Sequence, residues 1–256
     1  MTRSRLDLDE RFTGETLDPD VWVPYYLPHW SSRAQSAATY SVHDGELHLS
    51  IPDSQPLWCA DLHDEPLRVS CIQSGCFSGP LGSTIGQQPF REGLEVREEQ
   101  PTMWGYTPHF GQVEVRMRGV ISQRSMFAFW MSGIEDLPER SAEICVAEVF
   151  GDAVRDSSAD VGIGLHRFRD PALSEEFSAD PLGLDVTEFH TYGVDWRPGS
   201  LAFLVDDEVV RRCDQAPDYP MQLMIGLFDF PAKATGGVHT SAPELVVSHV
   251  RGKPLS

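Results

Sequence analysis

The sequence is poor in basic residues and lacks long apolar runs, and each shortage excludes a class of protein. Lysine and arginine number 20 against 39 aspartates and glutamates, so the formal net charge is -19. Nucleic-acid binding depends on clustered basic side chains, and this balance argues against it. No stretch of about 18 apolar residues occurs, so no membrane partner is expected. A neutral glycan suits so acidic a surface better than an anionic polymer does.

Cysteine is scarce and irregularly spaced. Its number is odd, and no pair has the spacing of a metal finger: Cys59, Cys71, Cys76, Cys145 and Cys213. Free buried thiols are expected, with a Cys71–Cys76 bridge as the alternative in an oxidising compartment. The nine histidines are scattered without ligand spacing, so no metal site is predicted among them.

Neither a leader nor a linker is visible. The segment from Met1 to Asp7 is basic but no apolar stretch follows it, so it is not a secretory signal. If Met1 is the natural start, the protein stays in the cytoplasm or leaves by another route, and a lost signal is the alternative. Because composition does not shift along the chain, residues 1–256 are predicted to form a single domain. A monomer is expected.

Helical periodicity is nearly absent, and short alternating or apolar runs between turn residues predict an all-β sandwich. A long polar loop, Gln87 to Trp104, is expected to wall a binding site. A hairpin is predicted to turn at Asp206-Asp207. Further strands are predicted at Glu46 to Ile51, Gln112 to Arg118, Ser125 to Ser132 (central), Leu201 to Arg211 (the hairpin), Gln222 to Phe230 and Glu244 to Val250.

The segment from Glu143 to Phe150 carries two glutamates. Plain alternation would bury Glu148 among apolar side chains, which is costly for a carboxylate. A β-bulge near Val146-Ala147 would instead place Glu143, Cys145 and Glu148 on one face. Two carboxyls about 5–5.5 Å apart serve a retaining glycosidase as nucleophile and acid/base. Two solvated glutamates on an exposed strand are the alternative, and spacing alone favours it.

Flanking motifs resemble glycoside hydrolase family 16 in order along nearly the whole chain. The glutamate strand resembles the bulged E-[IL]-D-x-x-E pattern, with Cys145 in place of the aspartate. Ala128 to Met131 is similar to the family's AFWM strand. Similar stretches include FGQVEVRMR from Phe110, FHTYGVDW from Phe189, the hairpin from Leu201 and LDPDVW from Leu17.

The resemblance implies a concanavalin A-like β-jelly-roll sandwich of two antiparallel sheets. It implies a laminarinase- or β-glucanase-like retaining endo-glycoside hydrolase acting on a β-linked glucan or galactan. Glu143 would be the nucleophile, Glu148 the acid/base and Cys145 a neutral substitute that slows the enzyme. No cofactor is required, although a structural calcium ion occurs in some relatives. Members are usually secreted.

Four further residues are candidates for substrate binding. Trp130 would form the floor of a sugar subsite, and packing in the core is the alternative. Trp104 and Trp30 lie in loop-like contexts and would stack on sugars at the surface. His166 resembles the histidine that faces the cleft in this family. The nearby Arg167 and Arg169 would either bind an acidic sugar or be exposed to solvent.

Two other functions remain open. A non-catalytic carbohydrate-binding protein on the same fold would explain the loss of the aspartate, although it has no evident need for both glutamates. A transglycosylase would use the same covalent intermediate with a sugar acceptor instead of water.

Overall fold

A computed structural model describes residues 7–233 and 242–255, and within them the chain forms two facing antiparallel sheets. The larger has eight strands in the order β15-β14-β13-β7-β17-β3-β2, with β1 also paired to β17. Their bounds are β1 Leu8–Glu10, β2 Thr39–His43, β3 Glu46–Ser50, β7 Gly111–Val120, β13 His190–Arg197, β14 Ser200–Val205, β15 Glu208–Cys213 and β17 Glu244–Lys253.

The smaller sheet has seven strands in the order β10-β11-β9-β8-β16-β4, with β12 also paired to β11. Their bounds are β4 Arg68–Gln73, β8 Ser125–Gly133, β9 Glu143–Phe150, β10 Val154–Arg155, β11 Ser158–His166, β12 Glu176–Leu182 and β16 Met221–Asp229. The predicted β-jelly-roll sandwich of two antiparallel sheets is confirmed.

Only short elements lie outside the two sheets in the described part of the chain. A two-stranded ribbon joins β5 Gly75–Cys76 to β6 Met103–Trp104. The helical elements are the 3₁₀ turns Pro28–Trp30 and Gly151–Ala153 and the α-helix α1 Arg33–Ser36. Among the described residues, no helix has the length and apolarity needed to cross a membrane.

The main core fills the space between the sheets. In β7, Val113, Val115 and Met117 are buried in it and the intervening side chains are more exposed, as period-two alternation requires. β8 lies at the centre of its sheet and is buried along its whole length, which confirms the predicted central strand. The hairpin turn at Asp206-Asp207 is confirmed too, and both residues have positive φ.

The other side of the seven-stranded sheet, here called the outer face, is partly covered by loops. Three segments form this loop layer: residues 24–37, 51–67 and 77–102. Trp30, Trp58 and Val96 from the layer are buried in one cluster with outer-face residues of β4, β8 and β16. The indole N–H groups are satisfied inside the layer, since Trp30 donates to the Gln87 carbonyl at 2.7 Å and Trp58 to the Tyr26 carbonyl at 3.1 Å.

All five cysteines are buried and free, which confirms the sequence prediction. Residues 7–233 and 242–255 contain no group of three or more His, Cys, Asp or Glu side chains arranged to hold a metal ion. The structure does not test the expectation that no cofactor is required, nor whether a structural calcium ion binds here as in some relatives.

Candidate active site

Strand β9 contains the bulge that the two glutamates required. Cys145 pairs with Trp130 and Ala147 with Phe129, so Val146 is the extra residue. Val146 and Ala147 both join the core between the sheets, whereas Cys145 joins the outer-face cluster. The bulge therefore turns Glu143, Cys145 and Glu148 to the outer face.

Glycines in the neighbouring strand β11 accommodate the bulge. Gly164 lies opposite Cys145 with φ +141°, and a Cβ there would stand 2.1 Å from the Glu176 carbonyl oxygen. Gly162 lies opposite Glu148, where a Cβ would meet the Phe177 ring at 2.6 Å. Gly164 therefore has to be glycine, because both its φ and the adjacent main chain exclude a side chain, whereas a side chain at position 162 would displace the Phe177 ring.

Glu143 is half-buried at the start of β9, among other carboxyls. Burial raises the pKa of Glu143 to about 8, and the charges of Glu135, Glu148 and Glu175 act in the same direction. Taking a carboxylate out of water and placing it near like charges both favour its protonated form. Its surroundings therefore favour the protonated form of Glu143 over the ionised form.

Glu148 is half-buried and its surroundings are mixed. Burial raises the pKa of Glu148, whereas the charge of His166 and a hydrogen bond from Cys145 lower it. The Cys145 sulfur lies 3.7 Å from Oε2 of Glu148. Burial and the adjacent glutamates raise the pKa of the Cys145 thiol well above its usual range, so this side chain stays neutral.

A cavity of about 490 Å³ opens beside Glu143. Its volume lies in the range of small-molecule sites. Aromatic side chains and a few polar groups form its walls: Tyr26, Leu27, Trp58, His63, Gln88, Pro89, Phe90, Glu135, Ser141, Glu143, Phe168 and Arg169. Glu148 and Cys145 are not among these residues, so the cavity extends from the Glu143 end of the carboxylate pair.

A buried ion pair joins two walls of the cavity. The side chain of Glu135 is 2% exposed and accepts a hydrogen bond from the Arg169 guanidinium, which is 42% exposed. The main-chain N–H of Gln88 donates to the other Glu135 oxygen at 2.7 Å. Burial raises the pKa of Glu135 to about 7, although Gln88 and Arg169 oppose the shift.

Two of the predicted substrate-binding residues lie beside the glutamates. His166 is half-buried, is the register partner of Glu143, and its ring contacts Glu175 and packs 4.3 Å from the Phe177 ring. Trp130 is the register partner of Cys145 on the outer face but is only 6% exposed under the loop layer. Trp130 thus packs mainly against protein and offers little surface to a sugar.

The structure contradicts the prediction for one of the two loop tryptophans. Trp30 is fully buried, with its N–H bound to Gln87, so the prediction of a surface stacking ring at Trp30 is wrong. Its loop forms part of a packed layer rather than a free surface. Trp104 is half-buried in β6 opposite Gly75 and is not among the residues that line the cavity.

Sequence reasoning missed most of the cavity wall. Gln88 and Phe90 belong to the long loop expected to wall a site, so the loop was identified but its individual residues were not. Glu135 carried no sequence signal, since it is one acidic residue in a polar segment. Tyr26 and Trp58 come from segments that only the tertiary structure brings to Glu143.

Comparisons with known proteins agree with this fold. The structure of a GlcNAcα1-4Gal-releasing endo-β-galactosidase from Clostridium perfringens matches with a TM-score of 0.82 and 26% identity, over 97% of this chain and 62% of that chain. A laminarinase from Flavobacterium sp. UMI-01 matches with a TM-score of 0.63 and 15% identity, over 97% of this chain and 100% of that chain, and shows the fold.

A curated relative is similar over a shorter stretch. A glucan endo-1,3-beta-glucosidase from Cryptopygus antarcticus is 31% identical over 140 residues, or 48% of this chain and 45% of that protein. The chain thus covers less than half the length of this relative. Residues 105–241, which are more than half of the chain and contain the glutamate strand, match the family model of glycosyl hydrolases family 16. The chain belongs to this family.

Proposed function

We propose that this protein is a retaining endo-glycoside hydrolase that cleaves a β-linked glucan or galactan by double displacement. The observation that carries the proposal is the bulge in β9, which turns Glu143 and Glu148 to the outer face and leaves apolar side chains in the core. Glu143 also lines a cavity with aromatic walls, and such walls suit the apolar faces of sugar rings.

The first step makes a covalent intermediate. A carboxylate oxygen of Glu143 bonds to the anomeric carbon while the glycosidic C–O bond breaks, and Glu148 gives its proton to the leaving oxygen. In the second step, Glu148 takes a proton from water as the water oxygen attacks the same carbon. The ester bond to Glu143 breaks as the bond to water forms, and the Glu143 carboxylate is restored.

Both relatives with informative similarity favour a β-glycan. The C. perfringens enzyme is named for action on a β-galactoside and the C. antarcticus protein for action on a β-1,3-glucan. The acidic chain, with its net charge of -19, is consistent with a neutral polymer of either kind.

Covalent trapping tests this proposal. Activated 2-deoxy-2-fluoro disaccharides based on β-1,3-glucose and on β-galactose form a stable ester on the nucleophile, since fluorine slows breakdown of the intermediate. Mass spectrometry should locate the added sugar on Glu143. Glu143→Gln should abolish labelling and Glu139→Gln, an exposed control nearby, should preserve it. Labelling of Glu148 or Glu135, or undiminished hydrolysis by Glu143→Gln, contradicts the proposal.

A further inference from the structure

The end of strand β11 brings a histidine to the two glutamates. His166 is the last residue of β11 and the register partner of Glu143. Ile163 and Leu165 are buried in the core between the sheets, so strand alternation places His166 on the outer face with the glutamates. Its side chain is 25% exposed, so the ring reaches the cleft while most of it packs against protein.

Two aromatic rings pack around this imidazole. The Phe177 ring lies 4.3 Å from it and the Phe168 ring 5.7 Å. A half-turn of the imidazole about its bond to Cβ exchanges Nδ1 with a ring carbon and leaves the outline of the ring nearly unchanged. Apolar packing therefore does not select between the two orientations, and a polar contact has to do so.

Glu175 provides that contact. Strands β11 and β12 pair so that Leu165 lies opposite Glu176. The next pair along the ladder is His166 and Glu175, just before β12 begins. One Glu175 oxygen, Oε1, contacts Nδ1 of His166, and the other, Oε2, accepts the main-chain N–H of Arg167 at 3.1 Å. The second bond fixes the carboxylate beside the ring, although the Glu175 side chain is 55% exposed.

The chemistry of this contact decides which ring nitrogen is left free. An ionised carboxylate only accepts hydrogen bonds, so Nδ1 of His166 is the donor and carries a proton. In the part of the chain that the structure describes, no protein group bonds to Nε2. Strand β11 lies between β12 and β9, so a ring whose Nδ1 is held from the β12 side turns Nε2 to the β9 side. There Nε2 accepts a hydrogen bond when the ring is neutral and donates one when it is charged.

We propose that Glu175 is a positioning residue that keeps a proton on Nδ1 of His166 and presents Nε2 to the cleft beside Glu143 and Glu148. The inference rests on the proposed function, because it gives Glu175 a role toward the same two glutamates. A carboxylate bound to one nitrogen of a functional histidine fixes the tautomer and the orientation of the ring. Exposed ion pairs contribute little to stability, so the loss of this contact should leave the fold intact.

Glu175 reaches the two glutamates by different routes. Burial and neighbouring carboxylates raise the pKa of Glu143, and the charge of Glu175 is one of these. Burial raises the pKa of Glu148 and the charge of His166 lowers it, whereas Glu175 is not among the groups that act on Glu148. Glu175 therefore acts on Glu143 through space and on Glu148 only through His166. The charged or titratable side chains around His166 are Glu143, Cys145 and Glu148 on β9, Glu175 beside β12, and Arg167 and Arg169 after β11.

The pH profile of kcat/KM separates the two routes. In Glu175→Ala, the acidic limb should move to lower pH because Glu143 loses a neighbouring charge. The basic limb should move to higher pH by about half a unit or more, because the freed His166 ring no longer directs its charge to Glu148. His166→Gln should move only the basic limb. A basic limb that stays in place in Glu175→Ala overturns the proposal.

The double variant tests whether the second route passes through His166. In the His166→Gln background, Glu175→Ala should still move the acidic limb and should leave the basic limb unchanged. An equal shift of the basic limb in both backgrounds contradicts a route through His166. Glu176→Ala is the matched control and should move neither limb, because the Glu176 carboxylate accepts from Gln215 at 2.8 Å instead.

Nitrogen NMR of the unliganded protein gives a readout that does not depend on activity. The ring-nitrogen signals of His166 are those missing from the spectrum of His166→Gln. At a pH where the ring is neutral, wild type and Glu176→Ala should carry the proton on Nδ1, and Glu175→Ala should carry it on Nε2. The same tautomer in wild type and Glu175→Ala overturns the proposal even where hydrolysis proceeds through Glu143. If wild type cleaves no glycan but the tautomer depends on Glu175, the proposed function fails and the hold of Glu175 on His166 stands.

Discussion

The thiol of Cys145 points to Glu148, with the sulfur 3.7 Å from Oε2. Of the two neighbouring glutamates, Glu148 has the stronger effect on the pKa of Cys145 and Glu143 the weaker. Any charge at position 145 would therefore act mainly on the proposed acid/base. Because the thiol is neutral, position 145 adds no charge that would raise the pKa of Glu148.

Cys145→Asp should therefore increase activity. An ionised Asp raises the pKa of Glu148 more than that of Glu143, so it favours the protonated form of the residue that must donate the proton. A hydrogen bond to a charged group contributes about 1.5–3 kcal/mol, and we expect kcat to rise about tenfold. The basic limb of the kcat/KM profile should shift to higher pH. Cys145→Ala is the control, and equal activity in the Asp and Ala variants would contradict this role for the charge.

The glutamate strand shows how much of the site could be predicted from sequence. A carboxylate cannot be buried cheaply among apolar residues, so Glu148 alone required a bulge near Val146-Ala147, and the bulge is present. Local sequence carries this information because strand alternation is a local rule. The same rule explains the prediction of strands such as β7 and β8, whose predicted ends differ from the observed ends by no more than two residues.

The pocket could not be predicted in the same way. Gln88, Glu135 and Arg169 are far apart along the chain and meet only through tertiary packing. Trp30 shows the same limit, since a loop-like sequence did not reveal that its loop packs into a buried layer. The burial of a loop depends on contacts with distant segments of the chain. The alternation of polar and apolar residues along a strand gives no information about such contacts.

The carboxyl groups around Glu143 should shift the pH range of hydrolysis to higher pH. The proposed nucleophile must be ionised, and burial raises its pKa to about 8, so the acidic limb of kcat/KM should lie well above pH 4.5. The titratable groups that act on Glu143 or line the cavity beside it are Glu135, Glu148, Glu175, Cys145, His63, His166, Arg169 and Tyr26.

Glu135→Gln tests this displacement. Removing the neighbouring charge lowers the pKa of Glu143, and the acidic limb should move down by about one pH unit. KM should also rise, because Arg169 loses its partner. Glu139→Gln is the matched control on the same segment, where the side chain is exposed. An acidic limb that stays in place in Glu135→Gln would show that this carboxyl does not act on the nucleophile.

Glu143 should also reduce the stability of the fold at alkaline pH. Its pKa is raised from 4.5 in the unfolded chain to about 8 in the folded protein, so between these values the folded state binds more protons. Stability therefore falls as pH rises through this window. Glu143→Gln removes the penalty, and we expect a gain of about 1–3 kcal/mol at pH 8, after allowance for partial exposure of the group.

Thermal unfolding measures this gain. A change of this size corresponds to a rise in Tm of about 2–12 °C for a chain of this length. At pH 4 both states carry a protonated Glu143, so the variant and the wild type should unfold at nearly the same temperature. Glu139→Gln should change Tm at neither pH. A Glu143→Gln protein that is stabilised equally at pH 4 and pH 8 would show that the gain comes from packing. One that is not stabilised at pH 8 would mean that the folded site holds the ionised carboxylate at little cost.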